Sequence, residues 1–199
     1  MAAVLDVVRA LFAPASTPAF VIDRETPADV VAREALLDRA LGADRSKKSS
    51  EKVRKDRFPA QGLALVARDR VGHVIGTVRL WNIEAGVSRE GQPVDALLLG
   101  PLAVDAAREG KGIGSALVRA AIVEAKKRGH GAILLVGDAS YYERFGFFAK
   151  KARHLVMPGP FARERFLALE LTPGWLEGAA GMIVASGRKL SRPAPRKAA

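Results

Sequence analysis

The 199-residue chain contains no cysteine. That excludes disulfides, thiolate–zinc sites, iron–sulfur clusters and a cysteine nucleophile, and it fits a reducing compartment. No apolar run approaches the roughly 20 residues needed to cross a bilayer. The longest runs, around Ala96–Leu99 and Ala132–Val136, have the length of buried strands. Three histidines occur, His73, His130 and His154, and none is spaced as a metal ligand or set beside a nucleophile motif. No metal is therefore expected. There is no internal repeat. Acidic residues are scarce, 21 against 32 basic ones, for a net charge of +11. A hydrophobic fraction of 49% nonetheless marks a globular chain and excludes wholesale disorder.

The excess charge is concentrated. Arg45, Lys47, Lys48, Lys52, Arg54, Lys55 and Arg57 stand against only Glu51 and Asp56, and residues 187–199 carry five cations and no acid. The tail also holds Pro193 and Pro195 and no aromatic side chain to stack on bases, so a solvated, disordered terminus is the simpler reading and nucleic acid is not expected as a partner. The 45–57 cluster lies inside the domain. It reads as a solvated helix face, or as the border of a site for anionic ligand groups. Residues 1–17 interrupt their apolar stretch with Asp6 and Arg9, which suits neither a secretory signal nor a transit peptide. The expected organisation is an N-terminal extension over 1–17, one domain over 18–185 and a basic tail over 186–199, in the cytoplasm.

Phe20–Ile22 reads as a strand, and Thr26, Pro27 and Asp29 as the start of a helix that ends at Gly42. Residues 46–57 form a second charged helix or an ordered loop. Two strands, 63–67 and 74–81, are joined by a turn at 69–72, and residues 86–93 read as a polar loop. A long apolar segment, 94–104, contains Gly100-Pro101, which implies a bulge or an edge. Ile113, Leu117, Val118, Ala121, Ile122 and Ala125 then recur at the helical period, with Lys126, Lys127 and Arg128 in the last turn and Gly129 as cap. A buried strand at 132–136, a short helix at 141–145 and an alternating strand at 167–171 follow. The class is mixed α/β.

Between the long strand and the amphipathic helix runs Arg108-Glu109-Gly110-Lys111-Gly112-Ile113-Gly114-Ser115. Alternate glycines let the backbone turn tightly and present N–H groups at a helix N-terminus, where the macrodipole favours an anion. Lys111 adds charge, and phosphate is the natural ligand. The P-loop pattern fails here. A dinucleotide fingerprint matches at Gly110 and Gly112 but meets Ser115 at its third position, with Asp138 standing where a ribose partner would lie.

Two motifs resemble the GNAT superfamily of acyl-CoA-dependent N-acyltransferases. Leu102-Ala103-Val104 followed by Glu109-Gly110-Lys111-Gly112-Ile113-Gly114 is similar to its pyrophosphate-binding motif, and Tyr142-Glu143-Arg144-Phe145-Gly146-Phe147 is similar to its Tyr-Glu-Lys-Leu-Gly-Phe signature. Either alone carries little; the pair in this order is specific. Glu109 replaces the usual Gln or Arg, Ala106 a frequent proline, and the asparagine that often precedes the tyrosine helix is missing.

The resemblance implies a mostly antiparallel twisted sheet with splayed fourth and fifth strands and helices on both faces. It further implies acetyl-CoA as co-substrate and direct attack by an amine in a ternary complex. The backbone of Leu102, Ala103 and Val104 would hold the pantetheine, and Glu109, Gly110, Lys111, Gly112, Ile113, Gly114 and Ser115 would surround the pyrophosphate. Tyr142 would be the general acid that protonates the departing thiolate. Packing beside Phe145 and Phe147 is its alternative role, and Tyr141 is the neighbouring candidate. Glu84 and Asp95 are candidate bases, with a water chain as the alternative. Trp81 and Asn82 either line the acceptor pocket or simply pack. The acceptor is an amine of a small molecule or a protein, no membrane partner is expected, and a homodimer is left open. Three other readings stand beside this one: an inactive acyl-CoA-binding regulator, an enzyme docked to a ribosomal or nucleic-acid-associated protein by its tail, and a dinucleotide-binding oxidoreductase.

Overall fold

The computed structural model describes residues 19–47 and 49–190. In order, the elements are β1 (Val21–Arg24), α1 (Val30–Leu41), α2 (Ser49–Arg54), β2 (Ala64–Arg68), β3 (Val74–Val87), β4 (Pro93–Val104), α3 (Ile113–Lys127), β5 (Ala132–Val136), α4 (Ala139–Tyr142), β6 (Leu155–Val156), β7 (Phe166–Glu170) and β8 (Ala180–Ala185). The expected extension over 1–17 and the tail from 191 onward lie outside the described residues. Residues 186–190 continue the pairing: Phe58 N–H donates to the Arg188 carbonyl at 2.9 Å, and Leu190 N–H to that of Asp56 at 2.8 Å.

Strand β3 is the spine. Its first half pairs antiparallel with β2, its second half with β8, and its whole other edge with β4. The sheet runs β1-β2-β3-β4-β5-β7, with β8 beside β3 and β6 beside β8. Among the described residues only β4–β5 and β6–β8 are parallel. A doubly wound dinucleotide fold needs successive parallel strands, so this topology overturns the oxidoreductase reading. Asp138 has another task, accepting from Ser140 N–H at 3.1 Å as the cap of α4.

The pleat divides the core between two faces. Leu97, Leu99, Ile133 and Leu135 face α3, where Ile113, Leu117, Val118, Ala121 and Ala125 are buried at the helical period. Leu98, Leu134, Trp81, Ile83 and Phe166 face the other way, where α2 contributes Val53. Burying alternate residues on opposite sides is what a strand covered on both faces requires.

Two expectations need correction. The third strand does not stop near Trp81, and 86–93 is not all loop: β3 reaches Val87, β4 starts at Pro93, and residues 88–92 make the turn. The reason is β8, which supplies a ladder for Ile83–Val87. The sequence shows β8 only as the short apolar run Met182-Ile183-Val184, because Ile183 alone in it is buried and no apolar alternation results.

Candidate active site

The bulge expected from Gly100-Pro101 is present. Leu80 pairs with Leu99 and Val78 with Leu102, which leaves Gly100 and Pro101 together opposite Arg79. The extra residue changes which side chains share a face: Leu97 and Leu99 before it, and Leu102 and Val104 after it, all pack toward α3. Trp81 Nε1–H donates to the Gly100 carbonyl, so the exposed acceptor of the bulge is used internally. Trp81 is 7% exposed and packs within the second core cluster. The Asn82 carbonyl accepts from Ser186 and Gly187 at 3.1 Å each.

Just before the bulge β4 leaves β5. Their parallel pairing consists of Leu97 with Ile133 and Leu98 with Leu134. From Leu99 to Val104, β4 keeps β3 on one edge and, among the described residues, has no strand on the other, while β5 continues with β7 as far as Val136 and Phe166. An unpaired strand edge offers N–H and C=O groups to any extended ligand laid beside it.

The strand delivers the chain to the glycine loop. Asp105 accepts from Ala107 N–H at 3.0 Å and closes a short 3-10 turn. Gly110 and Gly112 take φ values of 74° and 76°, the left-handed region where a side chain is strained. The first intrahelical bond of α3 runs from Ala116 N–H to the Gly112 carbonyl, so the amides of Ile113, Gly114 and Ser115 point out of the helix end. Glu109 and Lys111 differ: their amides donate to Ala106 at 3.2 Å and to Arg108 at 3.4 Å. The Glu109 side chain is exposed.

The two tyrosines point apart, as neighbours on a short helix must. Tyr141 Oη lies 2.9 Å from where a Cβ on Gly114 would stand, against the head of α3. Tyr142 packs one ring edge against Gly137, whose added Cβ would be 2.3 Å from it, and lines the cavity at the bulge. The rings meet edge to face at 4.9 Å. Burial pushes the Tyr142 phenol well above its ordinary value; Tyr141 adds to this and Arg165 opposes it. It therefore stays protonated across the working pH range.

A cavity of about 130 Å³ joins these parts, walled by Leu41, Arg54, the Leu99–Leu102 bulge and Tyr142. Ser50 and Val136 also line it and are shared with a neighbouring cavity of about 490 Å³ toward Phe161 and Arg165. No carboxylate lines either cavity, and Glu84 and Asp95 sit on the β3–β4 ladder outside both. The sequence reading missed Arg54, Ser50 and Arg165 as site residues. The charge cluster was its only pointer to the first. Among the described residues no group of acidic or histidine side chains could hold a metal ion, and no helix is long and apolar enough to cross a membrane.

A family model described as an acetyltransferase (GNAT) domain matches residues 60–148, from the loop before β2 to just past the tyrosine signature. The uncharacterized N-acetyltransferase YhbS of Escherichia coli strain K12 is 30% identical over 159 residues, covering 80% of this chain and 92% of its own. The crystal structure of Escherichia coli YhbS in complex with CoA superposes with a TM-score of 0.73 at 29% identity, over 87% of this chain and 93% of that one. A GNAT family acetyltransferase from Brucella melitensis in complex with acetyl-CoA gives 0.59 at 26% identity, over 83% and 94%. With relatives matched almost from end to end, the chain belongs to the GNAT family of N-acetyltransferases.

Proposed function

We propose that the protein transfers the acetyl group of acetyl-CoA to a primary amine by direct attack within a ternary complex. The observation that carries this is the open edge of β4 from Leu99 to Val104, which ends at the glycine loop. The backbone of Leu102, Ala103 and Val104 holds the pantetheine arm as an added strand. The amides of Gly110, Gly112, Ile113, Gly114 and Ser115 hold the pyrophosphate at the positive end of α3, and Lys111 contributes its charge. The CoA and acetyl-CoA carried by the two relatives support this assignment.

The reacting carbonyl then lies at the bulge, beside Tyr142. A phenol with a raised pKa is a hydrogen-bond donor that does not ionise early, and it supplies the proton as negative charge collects on the departing sulfur. The amine must be neutral to attack, although its ordinary pKa is about 10. With no carboxylate on the cavity walls, its proton leaves through water in the open cleft. Incubation with acetyl-CoA and a pool of primary amines should release CoA thiol in step with an N-acetylated product identified by mass. A protein that binds CoA and yields neither would be an acyl-CoA-binding regulator instead.

A further inference from the structure

Arg54 stands apart from the other cations of the 45–57 cluster. Arg45 is bonded to Glu34 and Asp38, Lys47 lies 2.6 Å from Asp44, and Arg57 donates to the Gly187 carbonyl. Arg54 is 9% exposed, and its Nε donates to Glu51 at 2.8 Å. Among the described residues neither Nη1 nor Nη2 has a hydrogen-bond partner, and Nη1 comes within 3.5 Å of the Cβ position of Gly100. The free face of the guanidinium thus forms a wall of the bulge cavity, opposite Tyr142.

Two other arginines are satisfied internally, whereas among the described residues Arg33 leaves its buried Nε without a partner. Arg163 donates to the carbonyls of Ala152, Arg153 and Leu155, and Arg79 grips Glu25 through two nitrogens. A guanidinium built into a cavity wall, with two nitrogens open to that cavity, presents a planar fork that matches carboxylate and phosphate. Arg165 and Lys47 line the adjoining cavity, and neither cavity has a carboxylate of its own. Asp44 and Glu51 partner Lys47 and Arg54 from outside, but the walls themselves carry only cations, which favours an anionic substrate group over a second cation.

We infer that the acceptor is a small amine carrying a carboxylate or a phosphate, and that Arg54 binds that anionic group. The inference rests on the transfer reading above. Arg54, Tyr142 and the bulge wall one cavity of about 130 Å³, so the anion and the reacting nitrogen lie only a few bonds apart. The position of Arg54 selects the substrate and takes no part in proton transfer.

The test has two stages. CoA must first raise the thermal midpoint of the full chain; if it does not, the transfer reading itself fails. Then kcat/KM is measured with acetyl-CoA on matched acceptors: β-alanine against propylamine, O-phosphoethanolamine against ethanolamine, and a lysine peptide with flanking glutamates against its neutral counterpart. The wild type should favour the anionic member of a small-molecule pair by about 10–100-fold, the range of a charge-assisted hydrogen-bonded pair. The carboxylate and phosphate pairs identify which anion is native. Arg54→Gln should abolish the preference mainly through KM, with Arg54→Lys intermediate because it keeps the charge and loses the fork. Arg165→Gln, at an exposed rim position, should reduce it by a smaller factor and serves if Arg54→Gln does not fold. A CoA-stabilised wild type that prefers the neutral member, takes neither, or accepts only the acidic peptide would overturn the inference. So would an Arg54→Gln variant that keeps the preference.

Discussion

Tyr142 is held by what its neighbour lacks. A Cβ on Gly137 would sit 2.3 Å from the tyrosine ring, so the strand end must be glycine for the phenol to reach the bulge. Two substitutions separate the hydroxyl from its placement. Tyr142→Phe should lower kcat by about 100-fold, within the range for a general acid, with the KM for acetyl-CoA little changed. Gly137→Ala keeps the hydroxyl but displaces the ring, and steady-state kinetics should show a kcat loss in the same direction. A Tyr142→Phe enzyme with wild-type kcat would leave the ring only a packing role beside Phe147, at 5.9 Å. Sequence pointed to this residue through its motif, whereas Arg54 was one of seven cations spread over residues 45–57. Which cation turns inward depends on a helix of six residues packing its Val53 side onto the sheet.

The helices show how local chemistry and packing share the work. On α3, Leu117 is fully buried among Val78, Leu97 and Ile133, while Val123 is 49% exposed on the opposite side. Leu117→Ala should cost about 3 kcal/mol in denaturant unfolding, and Val123→Ala less than about 0.5 kcal/mol. At the entry to α1, Asp29 accepts from Thr26 N–H and Oγ1 at 2.8 Å and from Arg68 at 2.7 Å. The Arg68 bond leads in lowering the carboxyl from 3.8 to about 2. A depressed folded-state pKa means that this stabilisation is full above about 4 and fades as pH falls through about 2. Asp29→Asn should therefore be less stable than wild type by about 1–2 kcal/mol at neutral pH, and the gap should close between pH 4 and pH 2. A gap that persists at pH 2 would place the effect elsewhere. Thr26, Pro27 and Asp29 were legible as a helix start. Their tie to Arg68 on β2 was not, because it spans 39 residues.

For the molecule as a whole, the splay turns one mixed sheet into two diverging halves with a cleft between them. A ligand that bridges the β4 edge and the head of α3 binds only the folded chain, so it must stabilise all of it. At 100 times its dissociation constant, CoA or acetyl-CoA should add about 2.7 kcal/mol and raise the midpoint by roughly 5–10 °C in a thermal scan. NADH should leave it unchanged. Equal shifts with all three would show nonspecific anion binding to a chain of net charge +11.

The residues near one another in the chain announced themselves in the sequence. The face of α3 follows from a 3.6-residue period, the tight loop ahead of it from alternate glycines, and the bulge from a proline that cannot join a ladder. Each needs only its own segment to be recognised. What required the folded molecule was everything made by contact between distant segments. Strand β8 exists because β3 is long enough to pair with two strands end to end, and its own side chains carry no alternation. Arg54 faces the bulge because α2 is laid across a cleft whose two walls come from β4 and β5. Burial and charge pairing are properties of the assembled neighbourhood, and no spacing along the chain encodes which side chain will be left without a partner.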